Sequence, residues 1–323
     1  MNDLVLKVLR ACDVLLAPFL VPAALLMKAV RRVGMHRLPL CRRVLMDLGV
    51  FPIRRHYYEP LFDARDLRES LRVDRRLPAV DLDPVGQLAF VAQCHYGAEL
   101  ADLPSSKPQG GEAGGFHFNN GAFESGDAEL WYGVLRHRKP RVVIEIGSGY
   151  STLLAVAALA RNRQDDPSYQ VRHICVEPYE APWLQTLGVE LIRTPVERLS
   201  LDFFAQLSAG DVLFIDSSHV IRPQGDVLFE YLQILPSLSE GVLVHVHDIF
   251  TPRDYLDDWV REEVRLWNEQ YLLEAFLCSN RDWRVVAALN YLQHNHYDAL
   301  KAAAPFLTPD REPGSFYLLK TRS

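Results

Sequence analysis

Between residues 141 and 246 the chain repeats one arrangement: a short apolar run, a turn, a helix-like stretch, then another apolar run. The runs are RVVIEI at 141–146, VRHICV at 171–176, DVLFI at 211–215 and GVLVHV at 241–246, with a shorter one at 189–193. Runs of this length with little polar alternation are strands buried on both faces. A parallel neighbour is reached only by a crossover, so strands that alternate with helices lie parallel. This predicts an α/β fold, a doubly wound and mostly parallel sheet, closed by a terminal antiparallel pair at 283–289 and 315–320. Helices are expected at 127–136, 151–160, 182–187, 201–207 and 224–235, and as one long element at 259–277.

In such a sheet, ligands bind beyond the carboxyl ends of the strands, where the strand order reverses. The first strand ends in Glu145-Ile146-Gly147-Ser148-Gly149-Tyr150-Ser151-Thr152. Its two glycines let the backbone approach a ligand, and Ser151 and Thr152 suit the start of a helix. The second strand ends at Glu177, where an acid can accept hydrogen bonds from both hydroxyls of a ribose. Two cofactors compete for this geometry. A dinucleotide calls for a third glycine where Thr152 stands, and an acid ahead of the glycines repels a pyrophosphate. The same acid favours a cationic sulfonium or an amino group, so the electrostatics point to S-adenosylmethionine.

The segments IEIGSGYST, CVEP, LFIDSSH and GVLVHVHDIF resemble the successive motifs of class I S-adenosylmethionine-dependent methyltransferases, within the group labelled methyltransferase family 24. The resemblance covers residues 116–323 and includes FHFNNGAFESGDAE at 116–129, similar to the segment these enzymes place ahead of the first strand. It implies a Rossmann-like seven-stranded sheet. It also implies that Glu145, Gly147 and Gly149 line the methionine part of the cofactor, Glu177 the ribose, and that Asp216 lies near the cofactor. Ser148 and Ser151 of the same turn complete the expected cofactor-binding set.

Methyl transfer needs a nucleophile held in line, about 3 Å from the methyl carbon. The fourth strand delivers Asp216-Ser217-Ser218-His219 and the fifth His245-Val246-His247-Asp248. Alternation puts His245 and His247 on one face and Asp248 at the mouth. The expected catalytic set is therefore His219, Asp216 and Asp248, with His219 as base because an imidazole titrates near neutrality. His245 is expected to be a hydrogen-bonded core group. The layout also resembles metal-dependent catechol-type O-methyltransferases, which implies Asp216, His247 and Asp248 as ligands of a divalent metal such as magnesium or manganese. His247 in place of an oxygen ligand departs from that pattern. It tilts the site toward manganese, iron or zinc, or abolishes metal binding. The aromatic and amide groups at 267–271 either line a substrate pocket or pack a helix on the sheet.

The expected reaction is methylation of a hydroxyl on a sugar or another small-molecule acceptor. The rival readings are a nicotinamide-dependent oxidoreductase and a membrane-recruited cofactor-binding protein without turnover. Charge bears on the partners. Residues 1–55 hold ten Lys or Arg against three acids, a balance of +7, which leaves −13 on the rest of a chain whose net charge is −6. An acidic body argues against a nucleic-acid partner. Val14 to Met27 is a fourteen-residue run without charge. As a helix it spans about 21 Å, short of the roughly 30 Å hydrocarbon core. Pro18 and Pro22 are expected to kink it. Basic residues beside such a run suit peripheral contact with an anionic membrane; the alternative is packing on the body or on a second subunit in a homo-oligomer. Five scattered cysteines with no paired spacing argue against a disulfide framework and for the cytoplasm. The expected organisation is a helical arm at 1–55, a helical and loop cap at 56–115, and a catalytic domain at 116–323, with Tyr57 and Tyr58 as a candidate lid.

Overall fold

Each apolar run from 141 onward forms a strand in the computed structural model, which describes residues 3–106, 115–179 and 182–322. The strands are β1 (Val142–Ile146), β2 (Arg172–Val176), β3 (Glu190–Ile192), β4 (Val212–Ile215), β5 (Leu243–Val246), β6 (Trp283–Ala288) and β7 (Phe316–Lys320). They make one seven-stranded sheet in the order β3-β2-β1-β4-β5-β7-β6. β1 to β5 pair in parallel, while β7 runs antiparallel to both β5 and β6. This is the doubly wound α/β sheet that the alternation dictates.

Alternate side chains of the central strands feed two separate cores. Val143, Val212, Phe214, Leu243 and Tyr317 pack on one face with Trp131 of the helix Asp127–Arg138 and Leu154 of the helix Tyr150–Asp165. Ile144, Ile146, Leu213, Ile215, Val244 and Val246 pack on the other face with Tyr231, Ile234 and Leu273. Strands covered on both faces have no need of polar alternation, which is why the runs are so nearly uniform.

Two helical expectations change. The stretch 224–235 is shifted to 226–237 and wound in three pieces, with a π-helical turn at Glu230–Ile234 between Asp226–Phe229 and Leu235–Ser237. The single helix expected at 259–277 is broken: a π-helical turn at Asp258–Glu262, a non-helical stretch, then a helix at Glu269–Leu277. Two contacts account for the break. The Arg265 guanidinium lies against the rings of both Trp259 and Trp267, at 4.2 and 4.5 Å. The backbone N–H groups of Asn268 and Glu269 donate to the carbonyl of His219, at 3.0 and 3.2 Å. Bonds to the chain at 219 thus replace the intrahelical bonds that a continuous helix would make there.

Residues 1–68 form one compact unit and 69–323 another. In the first, Asp3–Val33 is a single helix of 31 residues that contains both Pro18 and Pro22. It extends the apolar run at both ends. A short 3-10 turn, Met35–Arg37, and a helix, Pro39–Asp47, follow, with Met35 and Leu45 buried. Arg31 and Arg54 both pair with Glu59. Tyr57 and Tyr58, the candidate lid residues, are exposed. Most of the 103–115 segment lies outside the described residues. No helix among the described residues is long and apolar enough to cross a membrane.

Candidate active site

The strand order reverses between β1 and β4, and the chain is built there to bring two backbones together. Gly147 follows β1 with φ +80, and a β-carbon on it would collide with the carbonyl oxygen of Asp216. Its N–H donates to Val176 at 3.0 Å, while the N–H of Asp216 donates to Ile146 at 2.8 Å. A cavity of about 270 Å³ opens beside this junction, lined by Gly147, Glu177, Tyr179, Asp216, Ser218 and Asp226 among others. Glu177 accepts from the N–H of Ser148 at 3.3 Å and from that of Tyr179 at 3.0 Å. Asp226 accepts from the N–H and hydroxyl of Ser218, at 2.9 and 2.7 Å.

Of the expected cofactor residues, Gly147, Glu177 and Asp216 line this cavity; Glu145, Ser148, Gly149 and Ser151 do not. Glu145 is fully buried, and its carboxylate is taken up within the protein. Oε1 lies 2.6 Å from His173 Nε2, and Oε2 accepts from the hydroxyls of Thr152 at 2.7 Å and Ser151 at 3.4 Å. Thr152 also accepts from the N–H of Gly149 at 3.1 Å, so strand end and helix start are stitched through Glu145. The acids of the cavity wall are instead Glu177, Glu197, Asp216 and Asp226.

The ends of β4 and β5 converge on a cluster of buried charge. His219 Nε2 is 3.3 Å from Asp216 and 3.6 Å from Asp248, and its Nδ1 is 2.8 Å from Glu269. His247 Nδ1 is 3.5 Å from a carboxylate oxygen of each aspartate, and its Nε2 is 3.6 Å from Asp127. Burial pushes the His219 imidazole down, but hydrogen bonds to Asp216 and Glu269 and the charge of Asp248 outweigh it and raise it well above the usual value. His247 is raised in the same way, burial being overcome by Asp248, Asp216 and Asp127. Burial raises Asp216, yet His247 and His219 together hold it below the usual carboxylate range. Asp248 is raised, chiefly by burial, with both imidazoles opposing. His219 and Asp248 also carry positive φ, +60 and +58. Non-glycine residues held there cost roughly 1–3 kcal/mol each and tend to cluster at functional sites.

A second cavity, of about 320 Å³, lies on the other side of the cluster, with Asp127, His247, Asp248, Phe250, Trp259 and Arg311 in its wall. Asp248 opens onto it; His219 lines neither cavity. His219 is held from behind instead. Its ring packs on Trp267 at 4.2 Å, and Glu269 is fixed in turn by the Tyr231 hydroxyl at 2.9 Å. The 267–271 segment thus supports the cluster: Trp267 and Glu269 hold His219, and Gln270 accepts from the N–H of Phe250 at 2.6 Å. His245 is buried, as expected, but its ring nitrogens make no hydrogen bond among the described residues. It stacks on Tyr317 at 4.2 Å, and burial, with His247 adding, holds its imidazole well below the usual value.

Asp216, His219 and Asp248 offer donor atoms that all lie within 4.8 Å of one another. Two carboxylates and an imidazole are a plausible donor set for a divalent ion such as manganese, iron or zinc. This group of donor atoms includes His219, with His247 Nδ1 at the edge of the same cluster. Sequence reasoning did not single out Asp127, Asp226 or the pairing of Glu269 with His219. Asp127 stands directly after Gly126 at the start of a helix, and its carboxylate accepts from the N–H groups of Gly314 and Ser315, at 3.2 and 2.7 Å.

Residues 144–249 match the family model described as a methyltransferase domain. This stretch of the chain is similar to a methyltransferase domain. The match runs from the middle of β1 to just past β5, and so contains Gly147, Glu177, Asp216, His219 and Asp248. Over 163 residues the chain is 28% identical to an uncharacterized protein of Archaeoglobus fulgidus, covering 47% of this chain and 72% of that protein. Similar solved structures include an O-methyltransferase from Bacillus cereus in complex with SAH, at 13% identity and a TM-score of 0.36, covering 73% of this chain and 91% of that one. The plantazolicin methyltransferase BpumL in complex with SAH is similar at 14% identity and a TM-score of 0.34, over 60% and 82% of the two chains.

Proposed function

We propose that this chain is a methyltransferase that uses S-adenosylmethionine to methylate a hydroxyl oxygen of a small metabolite, such as a sugar. The observation that carries the reading is the arrangement of two cavities on either side of the Asp216–His247–Asp248 contact. S-adenosylmethionine supplies an electrophilic methyl group on a cationic sulfur. Glu177 is placed to accept hydrogen bonds from ribose hydroxyls, and Asp216, held anionic by its two imidazole neighbours, favours a positive charge beside it. Gly147 lets the ends of β1 and β4 approach closely at the cavity wall.

The second cavity takes the acceptor. Asp248 opens onto it with a raised carboxyl, which makes it a better proton acceptor than an ordinary aspartate. His219 faces the cluster, held in its charged form by three carboxylates, and so acts as a positioning residue that fixes Asp216 and Asp248. Where a divalent ion binds, Asp216, Asp248 and His219 would hold it, supplying Lewis-acid help to the hydroxyl.

Incubation with S-adenosylmethionine labelled in the methyl group, followed by fractionation of a small-molecule extract, tests the reading. Label is expected in alkali-stable methyl ethers. Asp248→Asn is expected to lower turnover by about 10²-fold or more, the usual contribution of a positioned proton acceptor, while leaving cofactor affinity in place. Label confined to protein, or turnover with a nicotinamide cofactor instead, would overturn it.

A further inference from the structure

Six charged residues of the helix Asp3–Val33 fall on one side of it. At about 100° per residue, Lys7, Arg10, Asp13, Lys28, Arg31 and Arg32 occupy one sector of about 120°. Opposite that sector stand Val5, Val8, Leu15, Leu16, Phe19 and Leu26, all exposed, Phe19 by 75%. Between Val14 and Met27 the apolar character extends around the whole helix, so Val21 and Leu25 are exposed as well. The apolar middle is thus flanked by basic residues: Lys7 and Arg10 on one side, Lys28, Arg31 and Arg32 on the other. The following helix, Pro39–Asp47, repeats the combination on a smaller scale, with Arg42 and Arg43 beside exposed Leu40 and Val44.

We propose that this first unit docks on an anionic lipid surface, with the helix Asp3–Val33 lying in the plane of the membrane. Charge and length favour a bilayer over another occupant. A +7 balance over residues 1–55 complements anionic headgroups, and it repels a second copy of the same basic arm. The uncharged run is too short to span the hydrocarbon, yet suits burial to the depth of the acyl boundary, with the flanking arginines and lysines at headgroup level. The inference is independent of the methyl-transfer reading, because it uses no residue of the second unit.

Co-sedimentation of the full chain with vesicles decides it. Binding is expected to mixed phosphatidylcholine–phosphatidylglycerol vesicles and to weaken as salt rises, with little binding to phosphatidylcholine alone. Neutralising Lys28 and Arg32 together, Lys28→Gln with Arg32→Gln, is expected to weaken binding to the mixed vesicles roughly 25-fold, about fivefold per basic residue. Leu16→Asp with Phe19→Asp is expected to abolish it while the unfolding transition of the second unit, followed by circular dichroism, stays in place. Equal partitioning onto neutral and anionic vesicles, or onto neither, overturns the proposal. So does light scattering that shows an oligomer broken by Leu16→Asp with Phe19→Asp when the parent binds no vesicles, because a second copy then covers the helix.

Discussion

Gly147→Ala perturbs the junction on which the candidate site depends. The residue sits at φ +80, where an L side chain costs roughly 1–2 kcal/mol. The new methyl group would also meet the carbonyl oxygen of Asp216, which is backbone and cannot rotate away. Relief requires the ends of β1 and β4 to separate, stretching the Asp216–Ile146 hydrogen bond of 2.8 Å and drawing Asp216 from its 3.3 Å contact with His219. Strain and displacement together should cost about 2–4 kcal/mol of stability, a large part of the 5–15 kcal/mol typical of a domain. Urea unfolding measures that loss, and calorimetric titration with S-adenosylmethionine measures the accompanying fall in affinity, expected to exceed tenfold. Gly149→Ala is the matched control: its φ of −171 is extended and its β-carbon would meet nothing within 4 Å, so stability should change by less than about 0.5 kcal/mol. If Gly147→Ala matches the parent in both measurements, the argument for a close approach at this junction is wrong.

Glu145→Ala should act through folding: it leaves His173 buried without its carboxylate, at a cost of about 3–5 kcal/mol in urea unfolding. Cofactor affinity of the folded variant should then fall less than that of Glu177→Ala; the opposite order would return Glu145 to the cavity wall. Glu99 is held below the usual carboxylate range chiefly by its hydrogen bonds from Arg136, at 2.7 and 2.9 Å. Because the folded carboxyl is depressed, its contribution is full above the ordinary value of 4.5 and is lost as pH falls through the depressed one. Arg136→Met should therefore destabilise by about 2–4 kcal/mol at neutral pH. The gap from the parent should narrow in unfolding curves taken below pH 4.5. If a divalent ion occupies the Asp216–His219–Asp248 cluster, a chelator should reduce methyl transfer and manganese restore it, with no restoration in Asp216→Ala. Activity indifferent to chelation would remove the metal from the account.

The strands were legible because burial on both faces leaves no room for polar alternation, so runs such as DVLFI mark β4 to within a residue. The general rule that ligands gather at carboxyl strand ends then pointed to Asp216, His219 and Asp248 without any knowledge of contacts. Side-chain direction was less legible. Glu145 follows the expected pattern in sequence, yet its partner His173 lies on a neighbouring strand, and only the β1–β2 pairing brings them to 2.6 Å. Glu269 meets His219 across fifty positions of chain, and that contact, with Arg265 held against two tryptophans, breaks a helix that periodicity alone would run from 259 to 277. His219 looked like a free base because its three carboxylate neighbours come from three separate segments. Pro18 and Pro22 were expected to kink the apolar arm, and the structure carries one helix through both.

The claim on which the rest depends is that the cavity at the ends of β1, β2 and β4 holds S-adenosylmethionine. Isothermal titration of the full chain with that compound, beside Glu177→Ala and a parallel titration with a nicotinamide dinucleotide, tests it most directly. The account predicts saturable one-site binding of S-adenosylmethionine, at least tenfold weaker in Glu177→Ala (about 1.4 kcal/mol), and no binding of the dinucleotide. No heat with S-adenosylmethionine, or equal binding by the parent and Glu177→Ala, would contradict it.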